Sequence, residues 1–146
     1  MHTTNECIID AIVSRKTRAA IVYESTEYIA FLDHRPLFVG HTLLAPKTHH
    51  PTIYDLPQDL ALSFTTTIKM LGRAIEIAMQ AQGSFIAINN KVSQSISHLH
   101  VHIVPRNQGD GLKGFFWPRT KYKDDSEMQI TRDKIVNALQ QLDPFN

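Results

Sequence analysis

Between Ser95 and Pro105 the chain reads Ser-Ile-Ser-His-Leu-His-Val-His-Ile-Val-Pro, so that His98, His100 and His102 alternate with Leu99, Val101 and Ile103. A period of two is that of a β-strand, whose successive side chains point to opposite faces. The register predicts a strand with three imidazoles on one face and three aliphatic side chains on the other, ended by Pro105. The plain alternative is an amphipathic strand that shows histidines to solvent. Distance limits what metal chemistry such a row can do. Alternate residues on one strand face lie roughly 6.5 to 7 Å apart, whereas zinc–imidazole bonds are about 2 Å long. Neighbouring pairs could share an ion, but all three could not unless the strand broke. A row of imidazoles can instead line an anionic group, with the middle ring as nucleophile and its neighbours as donors. Phosphate is the obvious partner.

The rest of the composition narrows the ligand further. A chain of 146 residues fits one domain with a real hydrophobic core. With 20% charged residues and a net charge of +1, nothing argues for nucleic acid or a membrane surface as partner, so the expected ligand is small. The single cysteine, Cys7, excludes an internal disulfide and suits a reducing compartment. Met1 to Asp10 lacks the apolar core of a secretory leader, and no apolar run approaches the roughly 20 residues that span a bilayer. A cytoplasmic protein is expected.

Taken in order, Cys7 to Val13 is a short apolar segment suited to a helical turn or two on a sheet. Arg18–Glu24 and Glu27–Asp33 are β-rich and separated by Ser25-Thr26, a hairpin pattern. A loop with two breakers, His34–Gly40, leads to a third strand, His41–Ala45, closed by Pro46. From Leu56-Pro-Gln-Asp-Leu60 onward, Leu60, Phe64, Ile68, Leu71, Ile75 and Met79 recur at helical spacing, with Gly83 past the end. Ser84–Asn89 reads as a fourth strand, pairing as a hairpin with the histidine strand. A glycine-rich link follows Arg106, then the aromatic cluster Phe115-Phe-Trp117. From Thr131 as N-cap, Ile135, Val136, Leu139 and Leu142 mark a terminal helix expected to pack on the sheet or a dimer partner. This order predicts an α+β fold with an antiparallel sheet. At the end of the second strand, Asp33 has the chemistry to accept hydrogen bonds from two ribose hydroxyls and Phe31 offers an apolar surface to a base, although Asp33 is equally suited to cap a turn.

The run Gln94-Ser-Ile-Ser-His-Leu-His-Val-His-Ile-Val-Pro-Arg106 resembles the signature of the histidine triad (HIT) family. The resemblance extends upstream through Val22–Glu24, Ala30–Asp33, Gly40–Leu44 and Pro46-Lys47, in the order typical of that family's small nucleotide hydrolases. It covers about residues 6–106, with 107–146 as a C-terminal extension of a single domain 1–146. The resemblance implies a sheet of about five strands with one long helix and a C-terminal helix, and a homodimer. It implies attack by His100 on the α-phosphorus of a purine nucleoside phosphoramidate or dinucleoside polyphosphate. A nucleotidyl-histidine forms, and a nucleoside monophosphate is released when water, or another acceptor, completes the turnover. In that reading His102 and Ser95 are donors to phosphate or leaving group, His98 orients the middle ring, Gln94 contacts phosphate and Asp33 holds the ribose. Asn89 is favoured over Asn90 as the nucleotide-binding asparagine. Relatives carry a glycine-containing stretch before the triad, whereas Asn89–Gln94 is shorter and has none. Many members also hold structural zinc through Cys-x-x-Cys, a later histidine and one triad histidine. Here the second position is Asp10, leaving Cys7, Asp10, His49 or His50, and His98 as the zinc set; the chemistry itself requires no metal. Trp117 and Arg119 are lid candidates, with core packing of the aromatics as the alternative. A nucleotide-binding regulator with vestigial activity is the competing reading, and the intact triad with Gln94 and Ser95 favours the enzyme.

Overall fold

In a computed structural model, residues 6–112 and 120–142 are described. The aromatic segment 115–117 and Arg119 lie outside them. Two compact units divide the chain, one running to Asp110 and the other from Gly111.

The first unit contains α1 (Ile8–Val13), β1 (Ile21–Glu24), β2 (Tyr28–Leu32), β3 (Thr42–Pro46), α2 (Ala61–Ala78), β4 (Gly83–Ala87) and β5 (Val101–Arg106). The five strands form one antiparallel sheet in the order β1-β2-β3-β5-β4. The fold is therefore the expected α+β arrangement. Alternation along the central strands sends side chains to two cores. Tyr28, Ala30, Leu44, Leu99, Val101 and Ile103 meet Phe64, Leu71 and Ile75 of α2 on one face. On the other face, Ile29, Phe31, Leu43 and Ala45 meet Ile9 and Ile12 of α1.

The aliphatic half of the histidine stretch is core, for Leu99, Val101 and Ile103 are all fully buried. Its strand, however, starts only at Val101. Pairing with β3 begins at Leu44 opposite Val101. Upstream the chain is held by single bonds, from Leu99 N–H to the His50 carbonyl (2.6 Å) and from the His98 ring to the Pro46 carbonyl (2.8 Å). The three imidazoles are thus not a row on one strand face.

Pro105 does not end the ladder either, since it pairs with Ser84 and β5 continues to Arg106. The carbonyl of Arg106 accepts from Gln82 N–H on the β4 side, so the preceding residue directs its backbone toward the β3 side. There pairing has already stopped at Ile103 opposite Thr42, and the missing N–H of proline costs nothing.

Helix α2 begins at Ala61 rather than in Leu56–Leu60, of which Gln58–Leu60 forms a 3₁₀ turn. Pro57 favours the extended conformation of Leu56 (ψ 125°) and so delays the α-helix. Met79 sits past the end of α2, over Gly40. A Cβ on Gly40 would lie 2.7 Å from Met79 Cγ, and its φ of +98° favours glycine as well.

In the second unit, α3 spans Asp125–Gln140. Its N-cap is Asp124, whose side chain accepts from Glu127 N–H at 2.8 Å. Thr131, expected as the N-cap, lies inside the helix and donates back to the Glu127 carbonyl. The acidic start Asp124, Asp125 and Glu127 suits the positive end of the helix dipole and so sets the boundary about two turns earlier. Among the described residues no helix is long and apolar enough to cross a membrane.

Candidate active site

A cleft of about 1150 Å³ opens on the α1 face of the sheet. Ile8, Ile12, Phe31 and Leu43 give it an apolar wall, and Asp33, Ser95, His100 and His102 give it polar groups. Strand register explains the meeting. His102 pairs with Leu43, and Leu43 lies beside Phe31 across the next ladder, so all three share the face opposite α2. Five of the eight residues expected to carry chemistry or ligand contacts therefore surround one space, namely His100, His102, Ser95, Asp33 and Phe31.

The tautomer of His100 follows from its surroundings. Its Nδ1 lies 2.7 Å from the carbonyl of His98. A carbonyl only accepts, so Nδ1 carries a proton, and in the neutral ring the lone pair lies on Nε2. Neutral imidazole with an exposed lone pair is the form that attacks phosphorus. The rings of His100 and His102 meet edge to face at 5.0 Å. Burial, then the neighbouring His100 and His41, push the His102 pKa down to about 4, so its ring is neutral at physiological pH.

His41 was read from sequence only as the start of a strand. Its buried ring reaches His102, with Nε2 3.0 Å from His102 Nδ1 and 3.8 Å from Asp33 Oδ2. The signal for it was the residue's parity with Leu43, which becomes informative only once β3 is known to pair with β5. Arg18 and Arg35 also line the cleft and were not singled out.

Three expected contacts lie elsewhere. The Gln94 amide donates to the Pro51 carbonyl (2.6 Å) and accepts from Lys91 N–H (2.8 Å), which closes its own loop. Asn90 accepts from Ile53 N–H, while Asn89 is not part of the cleft lining. In this glycine-free loop Lys91 (φ 68°) and Ser93 (φ 60°) take the left-handed conformations that glycine adopts more readily.

His98 faces a second cluster. Its Nε2–H donates to the Pro46 carbonyl, which leaves the Nδ1 lone pair 3.4 Å from Cys7 Sγ and 3.2 Å from Asp10 Oδ1. His49 Nδ1 joins them, 2.9 Å from Asp10 Oδ2 and 3.9 Å from Cys7 Sγ. Cys7 and Asp10 reach this point because they are the N-cap and third residue of α1, joined in a reciprocal capping box. One ligand atom from each of the four residues lies within 4.8 Å of the others. Ligand atoms around tetrahedral zinc are roughly 3.3 to 3.8 Å apart, so this soft-and-hard donor set fits a divalent cation with small adjustments. Of the two histidines left open by the sequence, His49 is the one in the cluster. The Nε2 of His50 is buried without a hydrogen-bond partner among the described residues.

The HIT domain profile matches residues 14–109. The chain belongs to the HIT family. The HIT-family "Protein hit" of Bacillus subtilis is 37% identical over 120 residues, covering 80% of this chain and 82% of that protein. An adenylylsulfatase of Arabidopsis thaliana is 30% identical, over 74% of this chain and 56% of its own length. An adenosine 5'-monophosphoramidase of Candida albicans is 24% identical over 98% and 97%. Among solved structures, a HIT family member from Bacillus subtilis superposes with a TM-score of 0.79 at 33% identity, covering 91% of this chain and 96% of that one. A zinc-bound histidine triad family protein from Mycobacterium smegmatis gives 0.68 at 30% identity, covering 93% and 97%. The family thus includes enzymes that act on small nucleotides.

Burial of neutral histidines also makes stability depend on pH. His102 and His41 both have folded-state pKa values below the usual 6.5, chiefly through burial. The unfolded chain therefore takes up protons first as the pH falls. The stability these rings contribute is fully present above about 6.5 and is lost as the pH drops toward 4. Thermal melts between about pH 7 and 5, a range in which ordinary carboxylates remain ionised, should show a falling Tm. A flat profile would contradict the burial assigned to these rings.

Proposed function

We propose that the protein is a nucleotide hydrolase or nucleotidyl transferase acting at the α-phosphate of a purine nucleoside phosphoramidate or dinucleoside polyphosphate. The observation that carries this reading is the His100 ring, proton tied to the His98 carbonyl and lone pair free beside His102 in an open cleft. His100 Nε2 attacks the α-phosphorus, forming a phosphorus–nitrogen bond as the bond to the leaving group breaks and that group departs with the electron pair. Water then attacks the same phosphorus, releasing the nucleoside monophosphate and restoring the ring. His102 and Ser95 donate hydrogen bonds to the phosphoryl oxygens or the leaving group. The apolar wall with Phe31 receives the base, and Asp33 the ribose. Asn89 and Gln94 reach nucleotide only if their loop shifts from the arrangement described above.

The named enzymes among the relatives support small nucleotides as substrates. The cleft also speaks against a purely regulatory binder, which has no need of a histidine held in its nucleophilic tautomer. A panel of adenosine phosphoramidates, dinucleoside polyphosphates and adenylyl sulfate, assayed for AMP release with and without acceptors, tests the reading and separates hydrolysis from transfer. AMP from at least one substrate is expected; none from any would overturn it.

Asp33 is the sharpest test of the binding mode. Its Oδ1 already accepts from Arg35 N–H at 2.9 Å, a turn-forming bond, and its remaining lone pairs face the cleft and His41. Asp33→Ala should weaken AMP binding by about 1 to 3 kcal/mol, the range for a lost bond to a charged group. Unchanged affinity by calorimetry would leave Asp33 as a turn residue only.

A homodimer is part of the same proposal. Strand β4 lies at the sheet edge, and Ile86 of β4 and Met70 and Ile77 of α2 are exposed large apolar side chains. Sedimentation at micromolar concentration should give twice the 16.6 kDa chain mass, and a monomer would contradict the assembly.

A further inference from the structure

Across the sheet, the paired positions His102 of β5, Leu43 of β3, Phe31 of β2 and Ile21 of β1 form one row on the face opposite α2. The row spans three strand spacings, about 14 Å. A nucleoside monophosphate laid along it, phosphate at His100 and His102, puts its ribose beside Asp33 and sends its base past Phe31 toward β1. Groups at that far end are the ones that can tell one base from another. The segment 17–20 joins α1 to β1 there. The Ala20 carbonyl accepts from Leu32 N–H at 3.0 Å, and Ala19 packs in the same cluster as Ile12, Phe31 and Leu43, which moors the segment beside the apolar wall. Arg18 sits on it, exposed and lining the cleft. Arg15, Arg106 and Arg132 pair with Glu24, Asp110 and Asp133, whereas the Arg18 side chain has no ion-pair or hydrogen-bond partner among the described residues. A guanidinium is thus left free at the base end of an apolar wall.

We propose that Arg18 is a specificity-determining residue that reads the purine at its position 6 and makes guanosine nucleotides the preferred substrates. The proposal rests on the nucleotidyl-transfer function given above. Guanine presents two acceptors, O6 and N7, on one edge, and the planar fork of an arginine donates to both at once. Adenine carries an amino group at position 6, so a donor meets a donor. Phe31 and the aliphatic wall take either purine alike, which leaves the choice to Arg18. Phosphate is not its partner in this arrangement, because the phosphoryl group lies with His100, His102 and Ser95 at the other end of the row.

Guanosine and adenosine 5'-phosphoramidates, compared on the wild-type protein, should differ in kcat/KM by about 5- to 150-fold in favour of guanosine, the range for one bidentate contact to a base. By calorimetry GMP should bind more tightly than AMP. Arg18→Ala empties no core and should level both preferences, lowering the guanosine values and leaving those for adenosine in place. Arg18→Lys, which donates from a single point, should fall between. Inosine keeps O6 and N7 but lacks the 2-amino group, and should behave as guanosine. Equal handling of guanosine and adenosine by the wild type would overturn the proposal, as would a guanosine preference that survives Arg18→Ala. Inosine treated as adenosine would overturn it too, and so would a loss shared equally by both bases in Arg18→Ala, which is a response to charge and not to the base. If no phosphoramidate is turned over, yet GMP binds more tightly than AMP and loses that advantage in Arg18→Ala, the nucleotidyl-transfer reading falls while the base reading stands.

Discussion

His100→Ala should reduce turnover by at least ~10⁴-fold, the scale on which an enzyme loses activity when its nucleophile is removed. The ring is 4% exposed, and its Nδ1–H is engaged by the His98 carbonyl, so the side chain has one free nitrogen and that nitrogen belongs to the cleft. Alanine deletes it while leaving Asp33, Phe31 and the apolar wall in place. AMP should therefore still bind, which separates loss of chemistry from loss of the site. His102→Ala should behave differently, slowing turnover while a nucleophile remains. If His100→Ala retains near wild-type turnover, no histidine nucleophile operates there.

The second large effect concerns the cluster of Cys7, Asp10, His49 and His98, which we propose as a structural zinc site. The four donors come from the start of α1, the chain after β3 and the approach to β5, so an ion there would tie three segments together. Binding only to the folded state at about a thousandfold excess over Kd stabilises by about 4 kcal/mol. Protein purified with zinc should accordingly lose stability on chelation, read as a lower Tm, and Cys7→Ala should reproduce much of the loss. Because His98 Nε2–H still holds the Pro46 carbonyl and the His98 carbonyl still holds His100, folded protein stripped of zinc should keep its turnover. Immediate loss of activity on chelation, with the fold intact by circular dichroism, would assign the metal a direct role in the reaction.

How far the sequence reached is clearest along residues 95–106. Its period of two identified Leu99, Val101 and Ile103 as core, since a face that must be buried has to be apolar at every second position. The same pattern overstated the strand. Where the ladder starts depends on which residues of β3 remain to pair, and a strand's own alternation does not carry that information. One consequence is that His98 departs from its two companions and joins Cys7 and Asp10, so the triad is divided between two sites. Pro105 was misread for the same reason, because a proline is harmless wherever its side of the strand has lost its neighbour. His41 escaped notice because nothing about a single histidine at a strand entrance distinguishes a capping ring from a partner of His102, 61 positions later. Asp33 and Phe31 were legible because the end of a strand is a local property, read from Tyr28–Leu32 alone.

The most direct test of the central claim is chemical. A nucleotide substrate labelled at the α-phosphate is mixed with the wild-type protein and quenched within the first turnover in base. The account predicts label bound covalently to the protein, stable to base and released by acid, as a phosphorus–nitrogen bond to imidazole must be. Peptide mapping under basic conditions should place it on His100, and His100→Ala should carry none. Label that survives acid, or that maps to Ser95 or any other residue, would contradict the mechanism.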